Sequence, residues 1–240
     1  MKRVVLGLLL VVGILPSFAQ KKQKITVPLI SDVQVDAVLG EWDSLHNVAD
    51  EGLWFYQLGQ DADNLYVALR IEDKALQVAA VLHGIAFNIL PNKKKKEDIL
   101  FLFPYLDNET KRAMLQQGET LGLEKEDDWI ERSRGYLVYG FPTVPKGLLS
   151  LQNSYGLYAT VRPHQEKLYY EVVIPKVLLD YTQPVARIKL SIHDGFSPLL
   201  STQKQPNARA GGMYGPYRYR GPARSKDNRT TAVLLETKID

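Results

Sequence analysis

Asp63-Asn64-Leu65-Tyr66-Val67-Ala68-Leu69-Arg70-Ile71-Glu72-Asp73 is the stretch that decides the fold. From Leu65 to Ile71, apolar residues fall on every second position after a polar turn, Gln60-Asp61-Ala62-Asp63-Asn64. Alternation of period two places one face of a strand in a core and the other outward. The preceding run, Leu53–Leu58, is its natural antiparallel partner across that turn. Upstream, Val35-Asp36-Ala37-Val38-Leu39-Gly40-Glu41-Trp42-Asp43 reads as a turn carrying a Trp of the kind that buries.

The same alternation recurs along the chain. Ile25–Ile30, Asp32–Val38, Arg134–Tyr139, Tyr155–Arg162, Leu168–Ile174, Ala186–His193 and Thr231–Lys238 all read as strands. Gly84–Leu90 and Asp98–Pro104 form a hairpin around the polar turn Pro91–Lys96. One short helix is predicted from Asp107 or Asn108 to Gln117, stopped by Gly118, and Pro175 opens a single turn through Leu179. About ten strands with one short helix predict an all-β fold: a single two-sheet antiparallel β-sandwich, jelly-roll-like in character.

The first nineteen residues read as a signal peptide. Lys2 and Arg3 precede the apolar run Val4–Leu15, which is too short to span a bilayer, and Ser17-Phe18-Ala19 supplies small residues at the cleavage positions. Residues 20–240 form the predicted sandwich domain, with no later transmembrane segment. Cysteine is absent. The expectation is therefore an exported periplasmic or extracellular protein that is not a lipoprotein and is held together by its core. Two of the 30 basic residues lie in the leader, so the remainder nearly balances the 27 acidic ones. No global field draws the chain to nucleic acid. The basic excess is local. Within the Gly-, Tyr- and Arg-rich segment 203–229, Lys204, Arg209, Arg218, Arg220, Arg224, Lys226 and Arg229 face the single acid Asp227. Arg–Tyr mixtures can hold anionic polymers by charge and stacking, here an anionic envelope polysaccharide such as lipopolysaccharide or an acidic glycan outside the cytoplasm, but the composition reads first as a solvated loop returning the chain to its last strand.

Four segments resemble carbohydrate-binding module family 9 domains. Val35–Trp42 is similar to their opening turn, although Ala37 stands where the family has Gly. Asp63–Asp73 is similar to a strand ending in Asp, and Leu168-Tyr169-Tyr170-Glu171-Val172-Val173-Ile174-Pro175 to a strand ending in Ile-Pro. Ile188–Asp194 sits where the family has a late strand. The layout also resembles exported proteins of Bacteroidota with a Lys-rich hairpin and a Gly/Met/Arg-rich stretch, here Lys93–Lys96 and Ala210–Met213. The resemblance implies a sandwich that binds carbohydrate without catalysis, and it makes Glu171 a residue that bonds a neighbouring loop.

Sugars stack their apolar ring faces on aromatic rings while polar groups bond the hydroxyls. Trp129, set among Glu124, Glu126, Asp127, Asp128, Glu131 and Arg132, is the first candidate platform. Trp54, in the aromatic run Trp54-Phe55-Tyr56, is the second, and His193 and Asp194 are polar candidates at a strand end. Trp42 is expected to anchor the core.

Asp61-Ala62-Asp63-Asn64 reads as a turn rather than a Ca²⁺ loop, and the four histidines lack zinc spacing. No metal and no cofactor is expected. There is no nucleophile elbow, no phosphate loop and no thiol, so the chain does not read as an enzyme. Two other functions fit the same fold. One is an envelope assembly protein that binds another protein. The other is a haem-binding sandwich of the DOMON type, which needs a His and a Met such as Met114 or Met213 facing one pocket.

Overall fold

The computed structural model describes residues 22–91, 97–116, 132–179, 185–195, 199–200 and 231–239. Trp129, the Lys93–Lys96 turn, the leader and the 203–229 segment lie outside the described residues.

Twelve strands and two α-helices are found in the described residues. In chain order they are β1 (Lys22–Lys24), β2 (Asn47–Ala49), β3 (Trp54–Gln60), β4 (Asn64–Ile71), α1 (Lys74–His83), β5 (Ile85–Leu90) and β6 (Ile99–Phe103). There follow α2 (Asn108–Gln116), β7 (Tyr136–Tyr139), β8 (Gly147–Leu149), β9 (Tyr158–His164), β10 (Lys167–Pro175), β11 (Ala186–Ile192) and β12 (Thr231–Thr237). They build two sheets, β1-β12-β11-β5-β6-β7-β8 and β2-β3-β4-β10-β9. Every pairing is antiparallel except β1 with β12. The fold is the predicted sandwich.

Its core follows from the alternation. Leu65, Val67, Leu69 and Ile71 of β4 face inward with Leu168, Tyr170, Val172 and Ile174 of β10. They meet Ile85, Phe87, Phe101, Phe103, Ile188, Leu190 and Ile192 from the other sheet. Two hydrogen bonds tie the layers at one edge. Trp54 Nε1 donates to Thr231 Oγ1 at 2.8 Å, and Tyr56 Oη donates to Gln23 Oε1 at 2.9 Å.

The Asp61 turn closes as its residue types require. The Asp61 carboxylate accepts from the backbone N–H groups of Asp63 and Asn64 and from Tyr66 Oη. The predicted α2 is present, with Asp107 Oδ1 accepting from Thr110 N at its start.

Two expectations are corrected. Residues 32–38 are not a strand. Asp32 and Ala37 both have φ of 58°, which breaks an extended chain, and the N–H groups of Asp36 and Ala37 go to a side chain rather than to a ladder. Within Ile25–Ile30 only an isolated bridge, Leu29 to Gln60, is formed, and the strand lies before it at Lys22–Lys24. The second helix, α1, has no counterpart in the sequence reading. It carries the chain from β4 in one sheet to β5 in the other and turns Leu76, Ala80 and Val81 into the core.

Candidate functional site

The outer face of the five-stranded sheet is half covered, and the uncovered half forms the site. Outward positions on this face are fixed by register. Tyr169 of β10 lies opposite Arg70 of β4 on one side and opposite Arg162 of β9 on the other. Beyond Arg70 lies Phe55 of β3. One row across the sheet therefore reads Phe55, Arg70, Tyr169, Arg162. The next outward row reads Gln57, Ala68, Glu171, Thr160.

Residues 31–46 fold over that second row. Glu171 pins them there. Its Oε2 accepts from Ala37 N at 2.7 Å and Asp36 N at 3.1 Å, and its Oε1 accepts from Trp42 Nε1 at 2.6 Å. Burial pushes this carboxyl above its ordinary range, and the Trp42 and backbone donors pull it back. All three partners are donors, so the geometry suits the ionised carboxylate. The Trp42 ring packs with Tyr66 and Ala68 and lies close enough to Gly59 that a Cβ there would stand 3.2 Å from it. Trp42 is thus the anchor expected of it, and Glu171 bonds the loop as the resemblance implied.

The edge of this loop and the first row enclose a cleft of about 520 Å³, within the range of pockets that hold small ligands. Val38, Leu39, Gly40, Asp43, Ser44 and Leu45 line the loop side, with Ala37 and Trp42 behind them. Arg70, Tyr169, Arg162 and His164 form the sheet side.

Arg70 is held in place. Its Nε donates to Glu72 Oε1 at 2.7 Å, and its guanidinium carbon sits 4.6 Å from the centre of the Phe55 ring. Its two terminal amino groups make no hydrogen bond to any described residue. Glu72 is shared with Lys167 Nζ at 3.1 Å. The His164 and Tyr169 rings lie 6.2 Å apart, tilted by 52°. The cleft thus offers an aromatic surface, guanidinium and imidazole groups, the hydroxyls of Ser44 and Tyr169, and the carboxylate of Asp43.

Of the residues singled out from sequence as ligand contacts, the described ones, Trp54, His193 and Asp194, do not line this cleft. Trp54 is corrected as a surface platform: it is 0% exposed, in the interior between the sheets, because its position in β3 has the inward parity of Tyr56 and Leu58. Trp129 lies outside the described residues. His193 and Asp194 follow β11 in the other sheet, away from the cleft. Asp194 is buried, and its Oδ1 stands 3.7 Å from His193 Nδ1. The His193 ring meets His83 of α1 edge-on at 6.5 Å between centres. Burial lowers both imidazoles, His193 to about 4, with Lys111 of α2 adding to the effect and Asp194 opposing it. Met114, weighed as a haem ligand, fills a small apolar cluster with Leu82 and Leu106.

Arg70, Arg162, His164 and Tyr169 were missed by the sequence reading. Their signal was present: in three strands that pair, the outward positions carry Arg and Tyr rather than small polar residues. Finding it required the register.

No group of acidic, histidine and cysteine side chains among the described residues is suited to a metal ion. No described helix is long and apolar enough to cross a membrane.

No protein-family model matches the chain, and no curated protein matches it. Among solved structures, the chain is similar to a carbohydrate binding module family 9 from Caldicellulosiruptor kristjanssonii in complex with glucose. The identity is 10%, the match covers 70% of this chain and 77% of that one, and the TM-score is 0.39.

Proposed function

We propose that this chain is a non-catalytic carbohydrate-binding protein whose ligand lies in the cleft between the 37–45 loop and the Arg70–Tyr169–Arg162 row. The observation that carries the reading is the Tyr169 ring set in a cleft of sugar size between two guanidinium side chains. A pyranose would place an apolar face on Tyr169 while Arg70, Arg162, Asp43 and Ser44 bond its hydroxyls. The lining favours capture over hydrolysis. Glycosidases bring two carboxyl groups to one bond, and Asp43 is the one carboxylate among the described residues that line the cleft.

Localisation belongs to the same proposal. Lys2-Arg3, the apolar run Val4–Leu15 and Ser17-Phe18-Ala19 support export, which would set the protein among envelope or extracellular glycans.

A glycan array followed by calorimetric titration tests the function. Binding to at least one oligosaccharide is expected, lost tenfold or more in Tyr169→Ala, with the thermal midpoint little changed. Unaltered binding by that variant would remove the cleft from consideration, and absence of binding across the array would overturn the function.

A further inference from the structure

We infer that the cleft selects acidic sugars, glycans whose units carry a carboxylate, over neutral ones. The inference rests on the sugar-binding reading of the same cleft and goes further in naming the ligand class.

The reasoning starts from Arg70. A guanidinium offers five N–H donors in a rigid plane, and its two terminal nitrogens match the two oxygens of a carboxylate. In Arg70 the Nε is already used by Glu72, and the plane is fixed against Phe55. The orientation of the terminal fork is therefore set before any ligand arrives, and the ordering cost on binding is small. That fork has no acceptor among the described residues, although the side chain is only 29% exposed. Partly sheltered donors without acceptors favour a ligand that brings acceptors.

Arg162 strengthens the case by position. It stands on the same outward row, two strands from Arg70, with Tyr169 between them. Neighbouring strands lie about 4.8 Å apart, so the two Arg backbones are roughly 10 Å apart, the span of a disaccharide-sized ligand lying across Tyr169. A sugar stacked there has a cationic group at either end. Glu72 offsets part of this charge, but it lies on the sheet side next to Lys167, outside the lining, and Asp43 stands on the opposite wall. A hydroxyl would bond one nitrogen of the Arg70 fork; a carboxylate engages two, with charge assistance.

Matched pairs of polymers test this directly: polygalacturonate, alginate, hyaluronate and glucuronoxylan, each beside its carboxyl-reduced form, which keeps the skeleton and removes the charge. The full chain without its leader is titrated with each at 50 and 300 mM NaCl. At least one acidic polymer should bind tenfold or more tighter than its reduced form, and the preference should shrink at the higher salt. Arg162→Gln, an exposed position, should reduce that preference fivefold or more, because the acidic polymer loses more affinity than its carboxyl-reduced form. Arg70→Lys, which keeps the charge but not the fork, should do the same. Equal binding of acidic and reduced forms, or equal loss for both in these variants, would overturn the acidic preference and leave sugar binding standing. Failure of every polymer in both forms would take the functional reading down with it.

Discussion

Glu171 takes three N–H donors, from Asp36, Ala37 and Trp42, and so fixes the loop that makes one wall of the cleft. Replacing it by Gln keeps the shape but turns an NH₂ group toward at least one of those donors. A buried donor left without an acceptor costs about 1–3 kcal/mol. Glu171→Gln should lower unfolding stability by that amount in urea titrations and weaken ligand binding through loosening of the loop. Ala37 is the complementary case. It adopts φ of 58°, a left-handed conformation that costs a residue with a Cβ about 1 kcal/mol relative to glycine. Ala37→Gly should therefore stabilise the protein by about 0.5–1 kcal/mol, read as a higher urea midpoint at unchanged slope.

At the scale of elements, α1 closes one end of the sandwich. Asp73 Oδ1 accepts from Leu76 N at 2.9 Å and caps it, and the buried Gln77 donates to Ile71 O, Glu72 O and Glu166 O. Asp73→Ala should cost about 1 kcal/mol in the same titrations. The far end of α1 brings His83 against His193 at the end of β11, near Lys111 of α2. His193 titrates at about 4 when folded, against about 6.5 in the unfolded chain. The folded value is the lower one, so the unfolded chain takes up protons first as the pH falls. Stability from this site is complete above pH 6.5, drains away as the pH falls below it, and is gone near pH 4. The loss should be on the order of 2 kcal/mol, since solvent still reaches the ring and screens the effect. Thermal melts between pH 7 and 5 should show a fall in midpoint that is shallower in His193→Gln; parallel curves would exclude the pair as its source.

At the scale of the molecule, the interior that joins the sheets and the outer face that forms the cleft are separate. Trp54 belongs to the first and Tyr169 to the second. Trp54→Ala removes a fully buried ring and the bond to Thr231 across the sheets, and should destabilise by about 3–5 kcal/mol. Its residual folded fraction should still bind ligand, whereas Tyr169→Ala should fold normally and bind poorly. Differential scanning calorimetry paired with titration separates the two effects.

Much of this architecture was legible because alternation reports parity directly. Leu65 to Ile71 and Leu168 to Ile174 could be assigned an inward face from residue types alone, and the Asp61 turn and the start of α2 follow from side-chain oxygens that cap nearby N–H groups. α1 was missed because Gln77 interrupts its apolar stripe, and only the tertiary structure shows what that amide bonds. Residues 32–38 alternated like a strand but were diverted by a carboxylate more than a hundred positions away. The cleft depends on three strands meeting in register: nothing local to Arg70, Arg162 or Tyr169 says that they share a row, because side-chain parity is written within a strand while neighbourhood is set between strands. The sequence by itself determined a layered all-β fold, since strands with one apolar face must bury it against another sheet face. Only the tertiary structure decided where a ligand could lie, because that depends on which outward residues the pairing brings together and which of them a loop leaves uncovered.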